Sequence, residues 1–541
     1  MIEDLQVGKR KIKLLDCTLR DGGYYNLWDF DEELISAYLA AMHSIRTDYV
    51  ELGFRSLNLG GFKGGVAYTS DRFIERLDIP GSFKLGVMVD ASELVRHPGG
   101  IADAVRRLFA PAANSQINLV RIACHFTDIE AALPATNYLK ELGYEVGINL
   151  MQIADRLEQE IEGAASIATH YPIDVLYFAD SLGSLDADKT SSIIGALRQA
   201  WGGELGIHTH DNMGRAVSNS LVAMNLGVSW VDATVSGMGR GAGNARIEYL
   251  VSEIPGKILS PTLLAVIKSF FEPLQKRYCW GPNAFYYLAG KLGIHPSYIQ
   301  EMLADSRYGE EDILSVLQHL SEQGGKKFSF GQLEASRTVY GKGTEGCWDA
   351  RTLVGRREVL ILGTGPSVSR HRKAIENFIN ERNPFVIALN TLSAIECDLI
   401  DVRLACHPVS LLADVHKHLN FDQPLVTPVS SLSEELKTEL AKKKIHDFGM
   451  SVEAGTFSYS AAGCVVPAPL VIAYALAFAA GGEASSIVLA GFDGYPAGDP
   501  RNTEMEKLLS AYNKVLESPS LVSITPSTYN LQVTSVYALE G

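Results

Sequence analysis

From residue 12 to about 235, short apolar runs rich in β-branched and aromatic residues alternate with amphipathic stretches of helical period. The runs are IKLLDCT (12–18), DYVELGF (48–54), FKLGVMV (83–89), INLVRIAC (117–124), YEVGINLM (144–151), DVLYFAD (174–180), LGIHTH (205–210) and WVDATV (230–235). Continuous rather than alternating apolarity implies strands covered on both faces, as in a parallel sheet. Eight strand–helix units over roughly 240 residues predict an α/β chain that opens with a (β/α)8 TIM barrel. From 259 to about 345, SPTLLAVIKSFFEPLQKRY, PNAFYYLAGKLG, PSYIQEMLAD and EEDILSVLQHLSEQ predict helices punctuated by Pro and Gly. After the polar, glycine-rich junction GKGTEGCWDARTLVGRR, strand–helix alternation resumes at Glu358, which predicts a Rossmann-like α/β domain. The expected division is a barrel over 1–258, a helical region and linker over 259–350, and the second α/β domain over 351–541.

A chain of 541 residues is too long for one core of ordinary size, which agrees with that division. Its formal charge of -15, with no basic stripe, disfavours general binding to polyanionic nucleic acid or to a membrane surface. The opening MIEDLQVGKRKIKLLD lacks an apolar run of signal-peptide length. The most apolar stretch, PLVIAYALAFAA (469–480), is too short to span a bilayer and reads as a buried helix. Seven cysteines without CxxC spacing suit reduced thiols in a cytoplasmic protein. The partners expected are small molecules and further copies of the same chain.

Barrel enzymes work at the C-terminal ends of their strands, which sorts the polar residues of the barrel region. Arg20, Asp21, Glu51, His125, Asn149, Gln152, Asp180, His208 and His210 all fall at or just after strand ends and are expected to face one mouth. Arg20-Asp21-Gly22-Gly23 alone reads as a solvated turn. His208 and His210, two apart on a strand, project to one face about 6–7 Å apart and can be cis ligands of one cation. Strand 1 lies one strand from strand 7 around a closed barrel, so Asp21 can join them. A carboxylate and two imidazoles suit Mn²⁺ or Mg²⁺, with Fe²⁺, Co²⁺ and Zn²⁺ left open. Such a set can hold a 2-oxo acid and polarise its ketone, and Arg20 adds a permanent positive fork for the oxygen on which charge develops. The chemistry indicated is carbon–carbon bond making or breaking beside a carbonyl.

TLRDG, VRIACHFTDIE, YFADSLG, GIHTHDNMGRAVSNSLVAMNLG and VDATVSGMGRGAGNARIEYLV together resemble the DRE-TIM metallolyase superfamily, and within it 4-hydroxy-2-oxovalerate aldolase. The resemblance covers roughly the first 345 residues, helical region included. It implies that Asp21, His208 and His210 are metal ligands and that Arg20 stabilises an oxyanion. Asn244 of GAGNA falls on a further ligand of the lyase branch, with a backbone-binding turn as the alternative. The substrates implied are a 2-oxo acid, pyruvate in particular, and an aldehyde. The family histidine that acts as general base or acid three residues after the aspartate is replaced by Tyr24. A phenol is a poor base near neutrality unless a cation lowers its pKa, so Tyr24, His125 and a metal-bound water are the three substitutes. Tyr286 or Tyr287 matches a tyrosine that the family places near its site. An acyl-CoA-dependent Claisen condensation and a non-catalytic nucleotide-sugar-binding protein are the competing readings.

In the last third, ILGTGPS (361–367) is a strand, a glycine-rich turn and a helix start, a geometry whose backbone N–H groups can cradle a phosphate. The order of this turn, Asn390 after the next strand, a small-residue helix and a strand ending in GFDGY is similar to bacterial sialyltransferases that use CMP-sugars and to motility accessory factor domains. That likeness places Gly363, Gly365, Ser367 and Asn390 near a nucleotide or nucleotide sugar and Asp493 near its sugar. His407 and His446 are available for glycosyl transfer, but no spacing favours either.

Overall fold

The computed structural model describes residues 11–305, 307–329, 333, 345–432, 434–496 and 498–539. Most of the N-terminal stretch read above for a targeting signal, and residues 341–344 of the polar junction, lie outside them. The chain forms two compact units.

The first unit comprises residues 1–301 and 323–328. Its strands are β1 (Lys13–Asp16), β2 (Tyr49–Phe54), β3 (Lys84–Asp90), β4 (Ile117–His125), β5 (Glu145–Met151), β6 (Val175–Asp180), β7 (Glu204–Thr209) and β8 (Trp230–Ala233). They pair in sequence order, all parallel, and β8 closes on β1 with Leu14 opposite Val231. The (β/α)8 barrel read from the apolar runs is the observed fold, with strand limits within two or three residues of those runs. Residues facing outward, such as Val50, Ile122, Ile148, Leu176 and Ile207, pack under the surrounding helices in one large core. Residues facing inward form a separate plug of Leu15, Cys17, Tyr49, Leu119, Val175, Tyr177 and Trp230. This two-sided burial is why the strands read as continuous apolar runs.

Above the plug lies a charged layer. Glu51 Oε1 and Oε2 accept from Arg121 Nη2 (2.7 Å) and Nε (2.6 Å), Glu51 Oε1 also accepts from Arg20 Nε (2.7 Å), and Asp232 Oδ2 accepts from Arg121 Nη1 (2.7 Å). Arg121 also lies over the Tyr177 ring at 4.5 Å. Each buried charge thus has an opposite partner, the condition under which such a layer is tolerable. Beyond β8 the chain continues through helical segments over Pro261–Val266, Glu272–Tyr278, Ala284–Leu292 and Ser297–Ala304.

The second unit comprises residues 302–322 and 329–541, so the helix Glu310–Gln323 belongs almost wholly to it. Its strands are β9 (Glu358–Leu362), β10 (Phe385–Leu389), β11 (Val402–Leu404), β12 (Leu425–Thr427), β13 (Ile445–Asp447), β14 (Gly449–Val452), β15 (Ser458–Tyr459), β16 (Gly463–Val466), β17 (Ser486–Ala490), β18 (Leu521–Ser523) and β19 (Gln532–Val533). The main sheet is parallel with order β13-β12-β11-β10-β9-β17-β18-β19, and β14, β16 and β15 form a small second sheet. Strand order reverses between β9 and β17, the switch point where open α/β sheets bind ligands. The apolar run 469–480 is the buried helix Val471–Gly481, and no helix among the described residues is long and apolar enough to cross a membrane. All seven cysteines are free.

Candidate metal centre

After β1 the chain turns directly into the short helix Thr18–Gly22. Asp16 accepts from the Thr18 amide (2.8 Å), and the Thr18 hydroxyl accepts from the Val235 amide (2.8 Å), which ties this helix to the loop after β8. Arg20 and Asp21 are therefore buried, at 4% and 3% exposure, rather than solvated in a turn. Gly22 and Gly23 do not serve to bend the chain, as expected of a Gly-Gly turn. Gly23 has an ordinary helical φ of -61°, and a Cβ on Gly22 would lie 2.7 Å from Met238 Sδ. Both positions are constrained by close packing.

His208 and His210 extend from β7 toward Asp21, their Nε2 atoms 3.8 and 3.9 Å from Asp21 Oδ2. His208 Nδ1 donates to Asp232 Oδ2 (2.9 Å), and His210 Nδ1 donates to the backbone oxygen of Asp180 (2.8 Å). With Nδ1 of each ring donating to an acceptor behind it, Nε2 is the atom left facing the carboxylate, and in a neutral ring it carries the lone pair. This is the tautomer a metal needs, fixed by acceptors behind each ring. Burial and the nearby His208 bring the His210 pKa down to about 3, so the ring is neutral at physiological pH. Burial would raise the Asp21 carboxyl, but Arg20, then His208 and His210, hold it well below the usual carboxylate range. Asn244 donates from Nδ2 to Asp21 Oδ2, while its buried Oδ1, like His210 Nε2, has no hydrogen-bond partner. Two unsatisfied buried acceptor atoms beside a carboxylate and an acceptor-facing imidazole fit a hard or borderline divalent cation. A second grouping, Cys17, His208 and Asp232, lies below, but Asp232 is already committed to His208 and Arg121.

Arg20 donates Nη1 to Asp21 Oδ1 (2.7 Å) and Nε to Glu51, which leaves the buried Nη2 without a partner. These groups open into a cavity of about 330 Å³ at the C-terminal mouth of the barrel, lined also by Tyr24, Asp90, His125, Asn149, Gln152 and Ser181. The cavity is completed by Arg240, from the loop after β8, and by His295, Ser297, Lys327 and Phe328 from beyond the barrel.

The HMGL-like family model matches residues 101–263. Curated 4-hydroxy-2-oxovalerate aldolases are similar over the barrel. That of Geobacillus thermodenitrificans is 31% identical over 248 residues, 45% of this chain and 69% of its own length, and that of Carboxydothermus hydrogenoformans is 30% identical over 249 residues, 45% and 70%. The chain belongs to the HMGL-like family, the DRE-TIM metallolyases. The aldolase of Pelotomaculum thermopropionicum extends the likeness to 329 residues at 28% identity, 59% of this chain and 93% of its own length. A crystal structure of an N-terminal domain from Bacteroides vulgatus is 29% identical, with 55% of this chain and 98% of that one covered, at TM-score 0.48.

Of the residues the sequence assigns to the mouth of this HMGL-like barrel, Arg20, Asp21, His125, Asn149, Gln152, His208 and His210 line it, as does Tyr24. Two do not. Glu51 points inward one layer below and binds Arg20 and Arg121. Asp180 turns its carboxylate to the Ser184 amide (2.9 Å) and the Leu185 amide (3.2 Å), where burial lifts its pKa to about 7. Tyr24 is 37% exposed overall, but burial of its hydroxyl end raises the phenol pKa, with Arg240 opposing. A tyrosine base would need the charge of a bound cation beside it to bring this phenol down. Tyr286 is buried and Tyr287 is 42% exposed, and neither lines the cavity. Asp232, Arg121, Arg240 and His295 were not singled out by sequence. His295 accepts at Nδ1 from the Ser297 amide (3.3 Å), and burial, then Arg240, bring its pKa down to about 3. Its Nε2–H is thus a neutral donor at the mouth.

In the second unit, Gly363, Gly365, Ser367 and Asp493 meet at the switch point. Ser367 donates to Asp493 Oδ2 (2.8 Å), and a Cβ on Gly363 would lie 2.6 Å from the Gly491 oxygen. The amides of Gly363 and Gly365 donate to Ala490 and Gly491 oxygens (2.8 and 3.0 Å), so the expected phosphate cradle is not built from these two N–H groups. Asn390 follows β10 in a left-handed conformation (φ 56°), with a buried Oδ1 that has no partner. His446 packs against Trp348, ring centroids 4.1 Å apart and tilted by 40°.

Proposed function

We propose that the barrel is a divalent-metal-dependent aldolase that makes or breaks the bond between a 2-oxo acid, pyruvate in the simplest case, and an aldehyde. The observation that carries this reading is the pair of β7 imidazoles, each turned by a partner on Nδ1 so that both Nε2 atoms converge on Asp21. The relatives' named substrate is a 2-oxo acid with a hydroxyl two carbons beyond the ketone, the pattern an aldolase cleaves. Asp21, His208 and His210 would hold the cation, Mn²⁺ or Mg²⁺ by donor type, and Asn244 Oδ1 is available as a further ligand. When bound, the cation supplies a Lewis acid for the ketone.

Arg20 Nη2, with no other acceptor, donates to the ketone oxygen and stabilises the charge that develops on it as the adjacent carbon–carbon bond breaks. Glu51 holds the other side of that guanidinium, so the donor needs no reorganisation during the reaction. Proton transfer at the aldehyde end falls to His125, which is exposed at the mouth, or to solvent, and Tyr24 positions the substrate as a neutral phenol. Incubation of the chain with pyruvate, Mn²⁺ and a panel of aldehydes, read by mass spectrometry, tests the reading. A metal-dependent 4-hydroxy-2-oxo acid is the expected product, and its absence across the panel counts against the assignment.

For the second unit we propose nucleotide or nucleotide-sugar binding at the switch point, with Ser367, Asn390 and Asp493 as contacts. The orphan Asn390 Oδ1 beside a strand-order reversal supports it. Protection against thermal unfolding by CMP or another nucleotide is the test.

A further inference from the structure

Arg240 differs from the buried arginines of the barrel. Arg20, Arg55 and Arg121 each meet a carboxylate within 2.7 Å. Arg240 forms no ion pair and donates no side-chain hydrogen bond among the described residues, and its Nε is buried without a partner. It lines the cavity, and its guanidinium sits over the Tyr24 ring, 5.1 Å from the centroid. Stacking on an aromatic face orients a guanidinium while leaving its in-plane donors free. Lys327 lines the same cavity and also lacks an acidic partner among the described residues.

The charge along the cavity is uneven. At the inner end Arg20 and Arg121 are matched by Asp21, Glu51 and Asp232, and His208 and His210 add no charge as imidazole ligands of a cation. A divalent cation and the carboxylate of a 2-oxo acid then leave that end neutral. In the rest of the lining, Arg240 and Lys327 are accompanied by one further carboxylate, Asp90, which already accepts from the Ser92 amide (2.7 Å). His125 and His295 add donors but no negative charge. A small neutral aldehyde would leave the buried Nε of Arg240 without an acceptor, which is costly.

Resting on the aldolase reading of this site, we propose that its acceptor is an aldehyde bearing an anionic group, phosphate or carboxylate, which Arg240 binds with Lys327 in support. The carbonyl end of the acceptor faces the 2-oxo acid, and the anionic end takes the free N–H groups of Arg240. In the synthetic direction, C3 of the 2-oxo acid loses a proton to solvent or His125 and forms the new bond to the aldehyde carbon. The carbonyl electron pair moves to the aldehyde oxygen, which takes a proton from water, and the anionic group does not react.

The test compares matched aldehydes with pyruvate and Mn²⁺: glycolaldehyde phosphate against glycolaldehyde, and succinic semialdehyde against butanal. The wild type should favour the charged member of at least one pair by about 10- to 100-fold in kcat/KM, the range of one charge-assisted hydrogen bond; which pair it is identifies the anion. Arg240→Gln should erase most of that preference by reducing turnover of the charged aldehyde far more than of the neutral one. Equal loss on both would place Arg240 on the 2-oxo acid and overturn the proposal, as would a wild type indifferent to charge. Calorimetry with the unreactive alcohols, ethylene glycol phosphate and 4-hydroxybutyrate, in the presence of Mn²⁺ and oxamate separates the two readings. Arg240-dependent binding without aldol chemistry retains the anion subsite and removes the aldolase, whereas no charge-selective binding in an active enzyme removes the subsite alone. Absence of both removes both.

Discussion

Asp232 is the carboxylate behind the proposed metal site, and its replacement by asparagine isolates what its charge does. A single oxygen, Oδ2, accepts from both His208 Nδ1 (2.9 Å) and Arg121 Nη1 (2.7 Å). Asparagine can put its carbonyl oxygen in that place, keeping both bonds and the side-chain volume while losing the charge. Burial would raise this carboxyl, but Arg121 and then His208 pull it below its ordinary value, so it is ionised and interacting with both. Loss of an outer carboxylate from a metal–histidine pair typically weakens metal binding 10- to 100-fold, about 1.4–2.7 kcal/mol. Arg121 keeps Glu51, so the stability cost stays below the ~3–5 kcal/mol of a broken buried pair. Calorimetric titration of the metal-stripped chain with Mn²⁺ measures the first quantity and thermal unfolding the second. Asp232→Leu, which also removes the acceptor that fixes the His208 tautomer, should bind metal more weakly than Asp232→Asn. Mn²⁺ affinity within twofold of wild type in both variants would refute the argument that Asp232 prepares His208 as a ligand.

Three further outcomes follow from the geometry. Gly239→Ala would put a methyl group 2.8 Å from Asp21 Oδ2 and against Asn244 Nδ2; metal affinity, followed by Mn²⁺ electron paramagnetic resonance, should fall at least about tenfold, by the same scale as an outer-ligand loss, and an unchanged spectrum would contradict the arrangement. Burial raises Asp180 to about 7 from 3.8, so the folded state holds this proton more tightly than the unfolded chain and wild type loses that stability as pH rises from about 4 through 7. Asp180→Asn should therefore gain in urea midpoint relative to wild type across that window and level off above it, whereas a relative loss would mean that the carboxylate is stabilised as an anion. In the second unit, Gly365→Ala would bring a Cβ against Asp493 and the Gly491 oxygen; any nucleotide-induced rise in unfolding temperature should disappear in the variant, and persistence of the full shift would place the nucleotide elsewhere.

The barrel was legible because strands buried on both faces must be apolar throughout, and DYVELGF or INLVRIAC can hardly be anything else in a parallel sheet. The two charged residues inside those same runs, Glu51 and Arg121, were harder to place. Distance from a strand end suggests the mouth, but inward-facing residues of a barrel are stacked in layers, and Glu51 falls in the layer below. Asp21, His208 and His210 could be found because one-strand spacing and two-residue periodicity act over short distances. Asp232 in WVDATV offered a comparable signal, an acid on the strand beside β7, and its alternation with Trp230 places it inward. Arg240 and His295 left no such trace, since each reaches the cavity from a loop whose path depends on tertiary packing. For Gly363 and Gly365 the motif indicated where the turn lies but not that neighbouring carbonyls would occupy their amides.

The most direct test of the metal-centred account is exchange of the pyruvate methyl protons in D₂O, followed by mass spectrometry, because it needs the cation, Arg20 and the 2-oxo acid but no aldehyde. With Mg²⁺ or Mn²⁺ present the chain should label pyruvate with deuterium, chelation should stop the exchange, and Asp21→Asn should lose both the exchange and the bound metal. Exchange no faster than the protein-free blank, or exchange that survives Asp21→Asn, would contradict it.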